Sequence, residues 1–321
     1  MPSLFDAVAA DLKVEKSELL FLYESTFSMP NGDPFTGEQR LDEETKRILV
    51  SDVRIKRFVR DFFVDTGRHI FVRNDRENVK EIKEGEAGSA ESGAAARYNT
   101  LEKNAAKGTS AHDILTSLID VRLFGGISTK KGNAINLTGP VQFSLLNPSL
   151  NAVDLRMHQN TSVFASSTDK GRGAIGTTTV VPYALCQIHG WINPFVARQT
   201  GLTEDDISAL LAALWHSINL ANTRTKSNQN SLLLLQVVYA DVTRKLYGLD
   251  RLVKLVCGER DGSPLRGEQL RSFDDYSLDF SDLFAAVERA GDFVQEVRFY
   301  TESDTLRAQL EGRAKFKALE L

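Results

Sequence analysis

Two sets of side chains in residues 27–60, FSMPNGDPFTGEQRLDEETKRILVSDVRIKRFVR, are of types that do chemistry. Asp33, Asp42, Glu43 and Glu44 are carboxylates, the groups that hold a divalent cation or move a proton. Arg54, Lys56, Arg57 and Arg60 are cations, the groups that neutralise phosphates. Asp33 stands in Asn-Gly-Asp-Pro, where an Asp more often forms the turn than reacts. Asp42, Glu43 and Glu44 lie close to Lys46 and Arg47 and read as local ion pairs or a helix start. The other ingredients of a catalytic centre are missing. His69, His112, His158, His189 and His216 form no HxH or HExxH spacing, and neither GxSxG nor GxxxxGK[ST] occurs. DKGRGAIG at 169–176 is too short and in the wrong order for a dinucleotide fingerprint. Cys186 and Cys257 have no CxxC partner, so no disulfide framework and no cysteine-based zinc site is expected. The residues therefore point away from metal, cofactor and catalysis, with Asp33 left open as a general base or ligand.

The cations are better placed. From Ser51 the apolar residues Ile55, Phe58, Val59, Phe62 and Phe63 recur at helical spacing, which predicts a helix over 51–65 with Ser51 as N-cap and Asp52 in the first turn. With Ile55 at the centre of the apolar stripe, a 100° step puts Arg54, Lys56, Arg57 and Arg60 on the opposite arc, interrupted by Asp61. One exposed cationic face is expected. Were all four to neutralise phosphates of a single strand, the salt slope of binding would be about −3. Residues 157–178, MHQNTSVFASSTDKGRGAIGTT, read as a protruding loop or hairpin. This segment and its flank carry Arg156, His158, Lys170 and Arg172, with Met157 and Phe164 as apolar tips of the kind that wedge between bases. ANTRTKSNQN at 221–230 presents Arg224 and Lys226 as either a helix C-terminal cap or a polar contact strip.

The elements that must hold these residues are legible in outline. SELLFLYES (17–25) is a short apolar run and reads as a buried strand, and MPNGDP forces a turn after it. RHIFVR after Gly67 alternates like a strand and completes a β-α-β unit. Residues 74–110 are rich in Glu, Gly, Ala, Ser and Lys and read mostly as a mobile insertion. HDILTSLIDVRLFGG predicts a short helix, NAINLTGPVQFSLL a strand-rich stretch broken at Gly139-Pro140, and TVVPYALCQIHGWI a strand. TEDDISALLAALWHSINLA is an amphipathic helix with a capping-box start at Thr203 and Asp206, and SLLLLQVVYA is a further buried strand. Strand-helix-strand, a long interruption and strand-helix-strand again is the order of an α+β, ferredoxin-like or RRM-like sheet with large insertions, read as a single domain over 1–321.

Composition agrees with a globular protein. The 321 residues are 42% hydrophobic and 26% charged, with no run of 18 apolar residues and no cleavable apolar leader, so a cytoplasmic location is expected. The formal net charge of −4 is unevenly spread. Residues 46–73 carry eight Lys or Arg against three Asp, whereas 258–311 carry thirteen acids against six bases. Such a split suits a head-to-tail self-associating binder of nucleic acid, and ordinary solvated charge gives the same split.

The blocks SELLFLYES, NGDP, DEETKRILVSDVRIKRFVRD, DVRLFGG, NLTGPVQF, VPYALCQIHGWIN, LTEDDISALLAALWHSINLANTRTKSNQ and DRLVKLV, in this order, resemble the backbone subunit of type I CRISPR Cascade complexes, most closely its type I-B branch. The resemblance runs from about residue 17 to 256. It implies an RRM-like palm of the RAMP superfamily with fingers, web and thumb, and several copies polymerised head to tail along one CRISPR RNA. It further implies DNA target recognition by base pairing with the guide, other Cascade subunits as partners, and no nuclease activity in this chain. Under it, helix 51–65 lines the palm groove and residues 157–178 form the thumb, with Met157 or Phe164 as wedge. The related type III backbone subunits cut RNA with an acidic residue near the first palm strand. Here that alternative falls to Asp33.

Overall fold

The computed structural model describes residues 12–73, 94–128, 134–161 and 175–321. A seven-stranded sheet dominates. Its strands are β1 (Lys16–Ser28), β2 (Val141–Phe143), β3 (Arg156–Thr161), β4 (Ile175–Ile192), β5 (Gln229–Tyr239), β6 (Val294–Tyr300) and β7 (Phe316–Ala318). The helices used below are α1 (Asp52–Asp65), α2 (Ala94–Asn104), α3 (Ala111–Thr116), α4 (Ile119–Phe124) and α5 (Glu204–Leu220). The spatial order is β7-β6-β5-β1-β4-β2, with β3 pairing the outer part of β4. β1 is antiparallel to both neighbours, with Phe21 opposite Ile188 of β4 and Leu234 of β5. β2 is antiparallel to β4, and among the described residues only β6 and β7 pair in parallel.

The near-continuous apolar run of β1 follows from burial on both faces, which leaves no solvent side to encode. Leu19, Phe21 and Tyr23 point into one core with Ile55, Phe58, Val59 and Phe63 of α1 and Leu210, Leu214 and Trp215 of α5. Leu20 and Leu22 point into a second core with Leu235, Val237, Leu249, Phe280 and Leu283. Thr203 and Asp206 form the expected capping box. Of the cysteines, Cys186 is buried and Cys257 half-buried.

Three elements differ from the sequence expectation. Residues 68–73 contain no strand. The backbone N–H groups of Phe71 and Val72 donate to the buried carboxylate of Asp120, at 2.7 and 3.0 Å, so a side chain satisfies what a ladder would have. The strand that stands parallel to β1 after α1 is β2, far later in the chain. Residues 94–104, read as part of the insertion, form α2, whose Tyr98 is fully buried with Phe71, Ile114, Leu115 and Val121. The remainder of the insertion up to residue 93 lies outside the described residues. Finally, the region HDILTSLIDVRLFGG holds two helices, α3 and α4. The break at Gly139-Pro140 is required by packing, since a Cβ on Gly139 would come within 2.1 Å of the Phe124 carbonyl carbon.

Candidate nucleic-acid interface

Helix α1 begins where the Asn-Gly-Asp-Pro turn is tied to it. Ser51 is the N-cap residue, but its hydroxyl does not cap. Both its N–H and its hydroxyl donate to Asn31 Oδ1 at 2.7 Å, which fixes the turn leaving β1 against the helix start. Asp33 Oδ1 accepts from the N–H groups of Phe35 and Thr36, at 2.8 and 3.3 Å, and Oδ2 pairs with Arg40 at 2.9 Å. The Phe35 N–H holds this carboxyl below the usual range. Asp42 likewise closes its own turn, accepting from Thr45 Oγ1 at 2.5 Å and the Glu44 N–H at 3.3 Å, while Lys46 pairs with Asp154. Among the described residues no three His, Cys, Asp or Glu side chains come together to hold a metal ion.

The four cations of α1 do not share one face. They split to the two flanks of the apolar stripe. Lys56 is half-buried, pairing with Asp52 at 3.3 Å and donating to Gln142 Oε1 at 3.0 Å. Arg60 donates to the fully buried Asp120 at 3.1 Å and lies 5.2 Å from the Phe124 ring. These two hold α1 to the layer formed by α4 and β2. The helical wheel set them on the exposed arc opposite the stripe, but Asp52 and Gln142 hold Lys56, and Asp120 holds Arg60, against the fold.

The other flank is open. Arg54 stacks over the Phe58 ring at 3.8 Å, and its Nε has no hydrogen-bond partner among the described residues. Arg57 is exposed and holds Asp61 through Nε at 2.6 and 2.8 Å, an i,i+4 pair of the kind that contributes little and opens readily. Between this flank and the end of α5 lies a groove of about 540 Å³, lined by Arg54, Arg57, Phe58, Asp61, Phe62 and, across it, Lys226. Phe62 of the lining stacks on His216 of α5 with ring centroids 6.0 Å apart.

Lys226 is the least expected member. The residue is only 9% exposed. Nζ donates to the Met29 carbonyl at 2.5 Å and Thr225 Oγ1 at 3.2 Å, both uncharged. Burial, with Arg54 adding repulsion, pulls its pKa down to about 8. Above that value the folded chain has lost the proton that the unfolded chain keeps up to about 10.4, so folding stability rises with pH across this window. Unfolding midpoints of the natural chain and Lys226→Met, followed from pH 7 to 10, should diverge in favour of the natural chain as pH rises. A constant difference would remove the argument.

The remaining candidates lie elsewhere. Arg156, Met157 and His158 are exposed on β3, Met157 to 72%, and the β3–β4 hairpin runs out beyond Ser28, the last residue of β1. Phe164, Lys170 and Arg172 lie outside the described residues. Arg224 is exposed on the loop that carries Lys226. The groove, the 223–228 loop, the Asp33 turn and the hairpin base thus meet at one end of the sheet. Among the contacts that join them are the Lys226–Met29 hydrogen bond and a 2.7 Å bond from the Gln39 N–H to Thr179 Oγ1. Among the described residues no helix is long and apolar enough to cross a membrane.

Residues 15–281 match the family model described as "CRISPR-associated protein Cas7". A protein of Haloferax volcanii described as "CRISPR-associated protein Cas7" is 28% identical, covering 94% of this chain and 88% of that protein. Among solved structures, a chain of a "CRISPR RNA-guided surveillance complex, pre-nicking" superposes with a TM-score of 0.52 at 13% identity, over 95% of this chain and 96% of that one. A chain of a "CRISPR RNA-guided surveillance complex" gives 0.50 at 13% identity, over 94% of each.

Proposed function

The chain belongs to the CRISPR-associated Cas7 family, and from that premise we propose that it is a non-catalytic, RNA-binding backbone subunit of a Cascade surveillance complex. The groove carries the reading. Arg54, Arg57 and Lys226 set cations along an aromatic lining, the combination that follows a single-stranded sugar–phosphate backbone. The finer picture is a type I-B subunit of the cytoplasm, polymerised head to tail along a CRISPR guide RNA that recognises target DNA by base pairing. The strand order β5-β1-β4-β2, with α1 and α5 in one core, supports a ferredoxin-like palm. The exposed β3–β4 hairpin supports a thumb, and an open heterologous interface suits the uneven charge along the chain.

Recombinant protein purified at ordinary salt is expected to carry RNA, identified by mass analysis, and to elute as a higher-order species only with guide-length RNA. Monomer in both conditions would sink the filament. The rival reading is a metal-dependent ribonuclease using Asp33. The hydrogen bonds that Asp33 Oδ1 accepts from its own turn and the ion pair of Oδ2 with Arg40 favour a structural role. Complementary RNA incubated with the complex and magnesium or manganese should stay intact, and Asp33→Ala should leave that result unchanged. Regularly spaced cuts that vanish in Asp33→Ala would establish the ribonuclease instead.

A further inference from the structure

Near its end β1 passes one residue over. Thr26 pairs with Tyr183 and Ser28 with Val181 of β4, but Phe27 stands opposite Pro182, which has no N–H to give. On the other side the pairing with β5 ends at Ser25 and Gln229. Released from both ladders, Phe27 adopts a φ of 46° and is 60% exposed. A bulky residue at positive φ is a genuine outlier, and such strain persists where surrounding contacts impose it.

Those contacts tie Phe27 to the groove. Before it, the Thr26 N–H donates to the Asn228 carbonyl at 3.0 Å, and Asn228 Nδ2 returns a bond to the Thr26 carbonyl at 2.9 Å. After it, the Met29 N–H donates to the Thr225 carbonyl at 2.9 Å, and the Met29 carbonyl accepts Lys226 Nζ. Phe27 is thus held out from a backbone clamped on both sides to the loop whose lysine forms a groove wall. Its neighbours across the clamp, Ser227 and Asn228, are exposed and polar, which suits a nucleic acid better than an apolar protein partner. A lone aromatic face beside backbone-binding cations is what an unpaired base stacks on.

We propose that Phe27 is a stacking platform for a base of the RNA strand whose backbone lies in the groove between Arg54 and Lys226. The inference rests on the RNA-binding reading above. The test uses the whole chain with two probes, a single-stranded RNA of about ten nucleotides and polyphosphate, which has charge but no bases. Phe27→Ala should weaken RNA binding about tenfold and leave polyphosphate binding unchanged, whereas Phe27→Tyr should bind RNA as the natural chain does. Phe27→Gly should bind RNA as poorly as Phe27→Ala yet unfold at a higher temperature than it, because glycine alone accepts the positive φ without strain. RNA affinity of Phe27→Ala within twofold of the natural chain overturns the stacking role and leaves the groove intact. Equal losses for RNA and polyphosphate assign the residue to loop positioning, and loss of self-association alone assigns it to a contact between copies. Either result overturns the proposal. A natural chain that binds neither probe removes the RNA-binding reading and this inference with it.

Discussion

Protein carrying alanine at both Arg54 and Arg57 should purify free of RNA at ordinary salt, with an unfolding midpoint close to that of the natural chain. Neither guanidinium holds the fold together. Arg54 covers one face of Phe58 without an ion pair among the described residues, and Arg57 pairs only with a carboxylate of its own helix. In titrations on a short single-stranded RNA, losing two phosphate contacts should flatten the salt slope by about 1.4. Asp61 gives the complementary arm. It lines the same groove and holds Arg57, so Asp61→Asn should strengthen RNA binding by freeing that cation. If the double alanine variant still brings RNA through purification, the nucleic acid lies on another surface, and the exposed hairpin residues Arg156 and His158 become the first place to look.

The second large effect falls on stability and comes from the same helix. Arg60→Ala should destabilise the fold by about 3 kcal/mol, because it leaves the carboxylate of Asp120 buried without its cation. The two backbone N–H groups that Asp120 accepts remain, which keeps the cost at the lower end of the range for a broken buried pair. For a chain of this size that corresponds to a fall in the unfolding midpoint of about 5 °C. Arg57→Ala, one turn away and facing solvent, should stay within about 0.5 kcal/mol of the natural chain. Pairing Arg60→Ala with Asp120→Asn should recover part of the loss, a non-additivity that reports direct contact. Equal effects of Arg57→Ala and Arg60→Ala on the midpoint would contradict the division of the helix into an anchoring flank and an open flank.

That division explains why a substitution of all four cations would mislead. RNA lost from a variant lacking Arg54, Lys56, Arg57 and Arg60 would report unfolding as much as binding. Separating the flanks turns one ambiguous experiment into two that answer different questions.

The amino-acid sequence by itself determined what is local. The period of Ile55, Phe58, Val59, Phe62 and Phe63 produces α1, the Thr203–Asp206 capping box starts α5, and the apolar run of β1 announces a strand buried on both faces. Ordered sequence blocks along the chain also carried the family resemblance, since they survive insertions that hide the sheet. Tertiary structure decided where charge is spent. A wheel records which residues leave the helix axis together, but Arg60 meets Asp120 across 60 positions, Lys56 meets Gln142 across 86, and Lys226 reaches Met29 across 197. The same distance effect moved a strand. Residues 68–73 alternate as a strand should, yet the Asp120 carboxylate takes the N–H groups of Phe71 and Val72, and β2 stands in the sheet instead. Phe27 was invisible for a related reason, because its exposure comes from a proline opposite it and a loop from residues 225–228, neither of which its own neighbours in the chain reveal.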